Sequence, residues 1–112
     1  MATALNVFKT VTADLTTENT RLYTAPRAKT AIFLSIQATN IANTAARVFF
    51  YHNSAANVQT AIAKGFQIPT NDALAIIASG SKLVLETGQS VYGYAEANST
   101  IQLVMGVLES AN

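Results

Sequence analysis

One histidine, six carboxylates and four tyrosines are the side chains of this 112-residue chain that could do chemistry. His52 sits between Tyr51 and Asn53 at the end of an aromatic run. A general base or a metal ligand needs convergent partners, and with no second histidine and no cysteine a zinc site would have to be built from carboxylates, an unusual ligand set. We read His52 as a surface residue at a strand end. The carboxylates are Asp14, Glu18, Asp72, Glu86, Glu96 and Glu109. Asp14 and Glu18 could approach each other in a loop, but no close pair with apolar neighbours marks the acid and base of a glycosidase. The chain has no GxSxG elbow, no phosphate-binding glycine loop and no EF-hand spacing. The absence of cysteine excludes disulfides, thiolate zinc sites, iron–sulfur clusters and cysteine nucleophiles. Asn98-Ser99-Thr100 fits a glycosylation sequon and reads as a turn, where Asn and Ser bond the local backbone. No catalytic residue, metal ligand or cofactor is assigned, and the chain is expected not to be an enzyme.

The aromatic residues point elsewhere. Phe49 and Tyr51 alternate with Val48 and Phe50, so both faces of that run are bulky. Tyr92 and Tyr94 share one face of another run, with Val91, Gly93 and Ala95 behind. One face can fill a core and the other needs a cover: a loop, a ligand or another subunit. Tyrosine pairs also suit stacking on sugars, but interface burial is the commoner fate of rigid amphipathic rings. Hydrophobic residues make up 50% of the chain and charged residues 12%, about half the usual charged share. A shortage of charge is typical of interface cores. The interface candidates are therefore Phe49, Tyr51, Tyr92, Tyr94, Val104, Leu108, Leu5 and Val7. Net charge is +1, and the basic residues Arg21, Arg27 and Lys29 lack interleaved aromatics, so neither nucleic acid nor a membrane is expected as partner.

The elements that must position these residues follow a period of two. In the segment 30–39, Ile32, Leu34, Ile36 and Ala38 share one face, and Phe33, Ser35, Gln37 and Thr39 the other. In 100–109, Ile101, Leu103, Met105 and Val107 point inward, while the opposite face begins polar and ends with Leu108. Further strands are expected at 5–11, 20–24, 47–52, 65–68, 74–78, 82–86 and 90–95. Turns fall at Ala25-Pro26-Arg27-Ala28, with proline second, at Pro69-Thr70-Asn71-Asp72, at Ser79-Gly80-Ser81 and at Thr87-Gly88. The alanine-rich stretch 54–64 is read as a loop leading into a strand, against a short helix. Many short strands between regular turns predict an all-β fold: one antiparallel β-sandwich, jelly-roll or immunoglobulin-like, of about eight strands. Residues 1–112 are expected to form one domain, with 1–18 either an arm reaching a neighbour or an ordinary first strand. The N-terminus lacks the pattern of a signal peptide, so synthesis in a cytoplasm is expected.

Two segments carry a resemblance. Arg21-Leu-Tyr-Thr-Ala-Pro-Arg-Ala-Lys-Thr-Ala-Ile-Phe-Leu-Ser-Ile-Gln-Ala-Thr-Asn40 and Lys82-Leu-Val-Leu-Glu-Thr-Gly-Gln-Ser-Val-Tyr-Gly-Tyr-Ala95, with the closing Leu103-Val-Met-Gly-Val-Leu-Glu109, resemble small virion structural proteins of tailed bacteriophages over roughly residues 20 to 109. The shared motifs are turns and strands rather than an active site. Gln89 departs from the acidic residue common in the Gly-acid-Ser turn of those proteins. The resemblance implies a β-sandwich that sits on capsids as a decoration, or cement, protein, or in a neck, tail or fibre-attachment assembly. Its partners would be the major capsid protein or other virion subunits, with homo-oligomerisation as a trimer or higher, and its location the virion. A carbohydrate-binding module using Tyr51, Tyr92 and Tyr94 is the alternative from another class.

Overall fold

The computed structural model describes residues 6–78 and 81–111. Nine strands and no helix occur among them: β1 (Asn6–Asp14), β2 (Thr20–Thr24), β3 (Lys29–Asn40), β4 (Ala46–Asn53), β5 (Gln59–Ile68), β6 (Ala73–Ile77), β7 (Leu83–Leu85), β8 (Ser90–Ala95) and β9 (Ile101–Ala111). They form two antiparallel sheets, one in the order β1-β9-β3-β6 with β7 also on β3, the other β2-β8-β4-β5. First pairs with last and second with next-to-last, while β6 and β7 together form one broken edge strand beside β3. This is the eight-strand jelly-roll order, so of the two sandwiches expected the topology selects that one.

The core lies between the sheets. Phe33, Ile36, Met105, Leu103 and Val107 come from the first sheet, and Phe50, Val48 and Val91 from the second, all fully buried. The inward set of β9 is as its period predicts. The expected faces of β3 need correction: Ala31 and Phe33 are buried, whereas Ile32 and Leu34 are only partly so. The cause is a bulge. Phe33 pairs with Val107 and Ser35 with Gly106, so Leu34 is an extra residue and the strand changes phase. Ile36 and Ala38 are then buried as expected.

Two other expectations shift. β5 begins at Gln59, not residue 65, because the 54–58 turn closes early: Ser54 N–H bonds the Val58 carbonyl at 3.0 Å and Asn57 takes φ 64°. Pro26 occupies the first position of its turn, not the second, whereas Pro69 opens its turn as expected. Lys29 N–H reaches the Pro26 carbonyl and Asp72 N–H the Pro69 carbonyl, both at 3.1 Å, with Ala28 and Asn71 left-handed at φ 60° and 59°. Thr87-Gly88 turns as expected, with Gly88 at φ 86°, while the Ser79-Gly80 turn lies outside the described residues. Of the stretch 1–18, Asn6–Asp14 takes the first-strand alternative, paired residue for residue with β9.

Candidate functional site: the aromatic ladder and the buried glutamate

Phe49 and Tyr51 on β4 stand directly opposite Tyr94 and Tyr92 on β8. Their neighbours Val48, Phe50, Val91 and Ala95 are buried in the core, so alternation puts the four rings on the outward face of the β2-β8-β4-β5 sheet. Phe49 and Tyr94 stack almost parallel, 4° apart with centroids at 4.3 Å, and Tyr51 follows 6.0 Å from Tyr94. The Tyr51 and Tyr94 hydroxyls meet at 3.5 Å. Burial, and then that contact, push the Tyr51 hydroxyl up to about 12.

A backbone bulge lies beside the Phe49 end of the ladder. Between Val48–Phe66 and Phe49–Lys64, Gly65 is an extra residue at φ 73°, and the Phe49 ring lies 3.4 Å from where its Cβ would stand. Only glycine takes that conformation cheaply. Arg21 closes the other end, its Nε donating to the Tyr92 hydroxyl at 3.2 Å. The expected basic group of Arg21, Arg27 and Lys29 is thus split: Arg21 goes to the ladder and Lys29 to a carboxylate in the other sheet.

Of the other candidates, Val104 is exposed and Leu108 partly buried on the outward face of the first sheet. Register sets Phe8, Leu108, Ile32 and Val84 in one row across four strands there. Phe8 is 72% exposed and Val84 49%. Val7 is partly buried in β1 and faces Glu109 in the register, whereas Leu5 lies outside the described residues. His52 is partly buried, its Nε2 3.2 Å from Gln89 Oε1.

The residue that the sequence reading missed is Glu109. It continues the inward parity of β9, and its side chain is 1% exposed. Oε1 meets Lys9 Nζ at 3.0 Å and Lys29 Nζ at 3.7 Å, and Oε2 accepts a short hydrogen bond from the Tyr23 hydroxyl. One carboxylate thereby ties β1, β3 and β9 of one sheet to β2 of the other. Burial disfavours its charge, but Tyr23 and the two ammonium groups outweigh that and hold the carboxyl below its ordinary value. Burial and the adjacent Glu109 raise the Tyr23 hydroxyl. Period-two parity was enough to place Glu109 inward; its partners needed the topology.

Chemically, this arrangement stacks, packs and locks. Among the described residues no three of His, Cys, Asp and Glu gather as a metal site, and no helix is long and apolar enough to cross a membrane. The open cleft between β5 and β6, lined by Ile62, Phe66, Leu74 and Ile76, has Lys64 as its one charged lining residue. The class defined by fold and site is a jelly-roll sandwich with an aromatic outer face and a charge-locked interior. No protein-family model matches the sequence, and no curated protein matches it. Among solved structures, the chain is similar to a subunit of Bacillus endospore appendages, described as a novel family of disulfide-linked pili, at 12% identity and TM-score 0.57, covering 99% of this chain and 96% of that one. It is also similar to the nucleoplasmin-like N-terminal domain of Drosophila FKBP39, at 10% identity and TM-score 0.48, covering 100% and 95%. At 12% identity the likeness to the pilus subunit is one of fold.

Proposed function

We propose that this chain is a non-enzymatic structural subunit of a repeating assembly and, within that class, a capsid decoration protein of a tailed bacteriophage that bridges neighbouring shell subunits in the virion. The observation that carries the reading is the outward ladder in which Phe49, Tyr92 and Tyr94 stay partly exposed beside the buried Tyr51. Rigid rings set side by side on a sheet offer a large contact area at low entropic cost. The apolar row on the opposite face gives a second contact surface, so one sandwich can touch two neighbours. Small contacts repeated over a lattice give avidity without a tight single contact.

Jelly rolls serve viral capsids and lectins alike. Against the lectin use, Phe49 and Tyr94 spend one ring face each on the other. The Bacillus neighbour, a pilus subunit, also builds a polymer, but its disulfide linkage has no counterpart in these cysteine-free residues. Here association is non-covalent, and residues 1–112 act as one unit. A neck or tail position uses the same surfaces.

Light scattering after size exclusion, at two concentrations, tests the reading. A discrete oligomer of the 11.8 kDa chain is expected, whereas a clean monomer that binds glycans would replace the reading with a carbohydrate-binding one.

A further inference from the structure

A sandwich must blunt its sheet edges or share them, because an edge strand presents unpaired N–H and C=O groups. Three edges here are interrupted. β2 has five residues, of which Leu22, between Arg21 and Tyr23, is unpaired as a bulge. β5 has two extra residues, Ile62 and Gly65. β6 has five residues, with Ile76 extra where Ile77 pairs with Ile36 and Ala75 with Gln37. Bulges of this kind twist an edge away from a would-be partner.

β1 is different. Its nine residues keep unbroken register with β9 and include no proline or glycine. Leu15 N–H bonds the Ile101 carbonyl at 2.9 Å just beyond the strand. By the alternation of an antiparallel ladder, odd residues turn their backbone groups to β9, and Asn6, Phe8, Thr10, Thr12 and Asp14 turn theirs to the open edge. All five are exposed. The one lysine of the strand, Lys9, is engaged by Glu109 at 3.0 Å and does not guard the edge.

We propose that β1 pairs antiparallel with β1 of a second copy across a two-fold axis at Thr10, joining two β1-β9-β3-β6 sheets into one. The occupant is a second copy because the strand is self-complementary about Thr10. Phe8 then faces Thr12 of the partner subunit, and Asn6, with its amide donors, faces Asp14 of the partner subunit. Each Asp14 is held at an opposite end of the seam, so the single acidic charge among the five edge residues never meets its like. Phe8 carries the apolar row Phe8–Leu108–Ile32–Val84 up to the seam, where the partner covers its exposed ring. This inference names one contact of the self-association proposed above and rests on it.

The absence of cysteine makes a direct test available. A two-fold at Thr10 sets the paired Cα atoms about 5.5 Å apart, within the span of a disulfide. Thr10→Cys should form a disulfide dimer under mild oxidation at least about tenfold faster than Val58→Cys, at a site that is 64% exposed in the β4–β5 loop. Thr10→Pro removes an outward N–H that makes no bond to β9, a change edge strands tolerate. It should stay folded and raise the dimer dissociation constant at least about tenfold, through two lost hydrogen bonds. Equal cross-linking of the two cysteine variants, or a folded Thr10→Pro dimer as tight as the parent, overturns the β1 seam. If those results come with a parent chain that still oligomerises, the seam fails and the structural-subunit reading stands; with a monomeric parent, both fail.

Discussion

The buried Glu109 cluster and the aromatic ladder are both built from polar-capable side chains on paired strands, yet they do opposite work. At Glu109 every interaction is spent inside: two ammonium groups and a tyrosine hydroxyl converge on a carboxylate that is 1% exposed. On the ladder the rings pack against one another, but Phe49, Tyr92 and Tyr94 stay only partly buried on an outward face. The first arrangement holds the two sheets together, and the second leaves rings at the surface, where the proposed association would use them. Substitutions in the cluster should change folding and leave the contact surface unchanged, and substitutions in the ladder should do the reverse.

The largest effect is expected at Glu109. Glu109→Ala leaves Lys9 and Lys29 without their counter-charge and Tyr23 without its acceptor, and should cost about 3 kcal/mol in urea unfolding. The same carboxylate gives stability a pH dependence. Its folded pKa lies below the ordinary glutamate value, so its contribution is complete above that value and is lost as pH falls through the folded one. Unfolding curves from pH 6 to 3 should show the parent losing stability more steeply than Glu109→Ala; parallel slopes would break the claim that the cluster is a charged lock.

Tyr23→Phe removes one hydrogen bond to a charged acceptor and keeps the ring against Phe33, 5.4 Å away at 76°. About 1.5–2 kcal/mol should be lost. Gly65→Ala strains the backbone at φ 73° and sets a methyl group in contact with the Phe49 ring; it should cost about 1 kcal/mol, with near-ultraviolet dichroism of the ladder altered. Tyr94→Ala should have the smallest effect on stability, below about 1 kcal/mol, and the largest on association.

The strands were legible because turn residues and period two recur along the whole chain. Sites of phase change were not. Leu34 looks like any other apolar residue of an alternating run, and only pairing with β9 reveals it as the bulge that buries Phe33 and leaves Ile32 outside. Pro26 misled for a related reason: Pro fits several turn positions, and the left-handed Ala28 has no sequence mark. The ladder was legible as two same-face aromatic pairs; that they are neighbours follows from β8 lying beside β4. Glu109 shared its parity with Met105 and Val107, but Lys9, Lys29 and Tyr23 are 80 or more positions away and meet it only through the jelly-roll order.

Sedimentation equilibrium of the parent chain beside Phe49→Ala/Tyr94→Ala reads whether the outward rings drive association. The parent should be an oligomer whose mass falls toward the 11.8 kDa chain mass in the double variant, with unfolding cooperativity kept. A parent that is monomeric at every concentration, or a folded variant that associates as tightly as the parent, would contradict it.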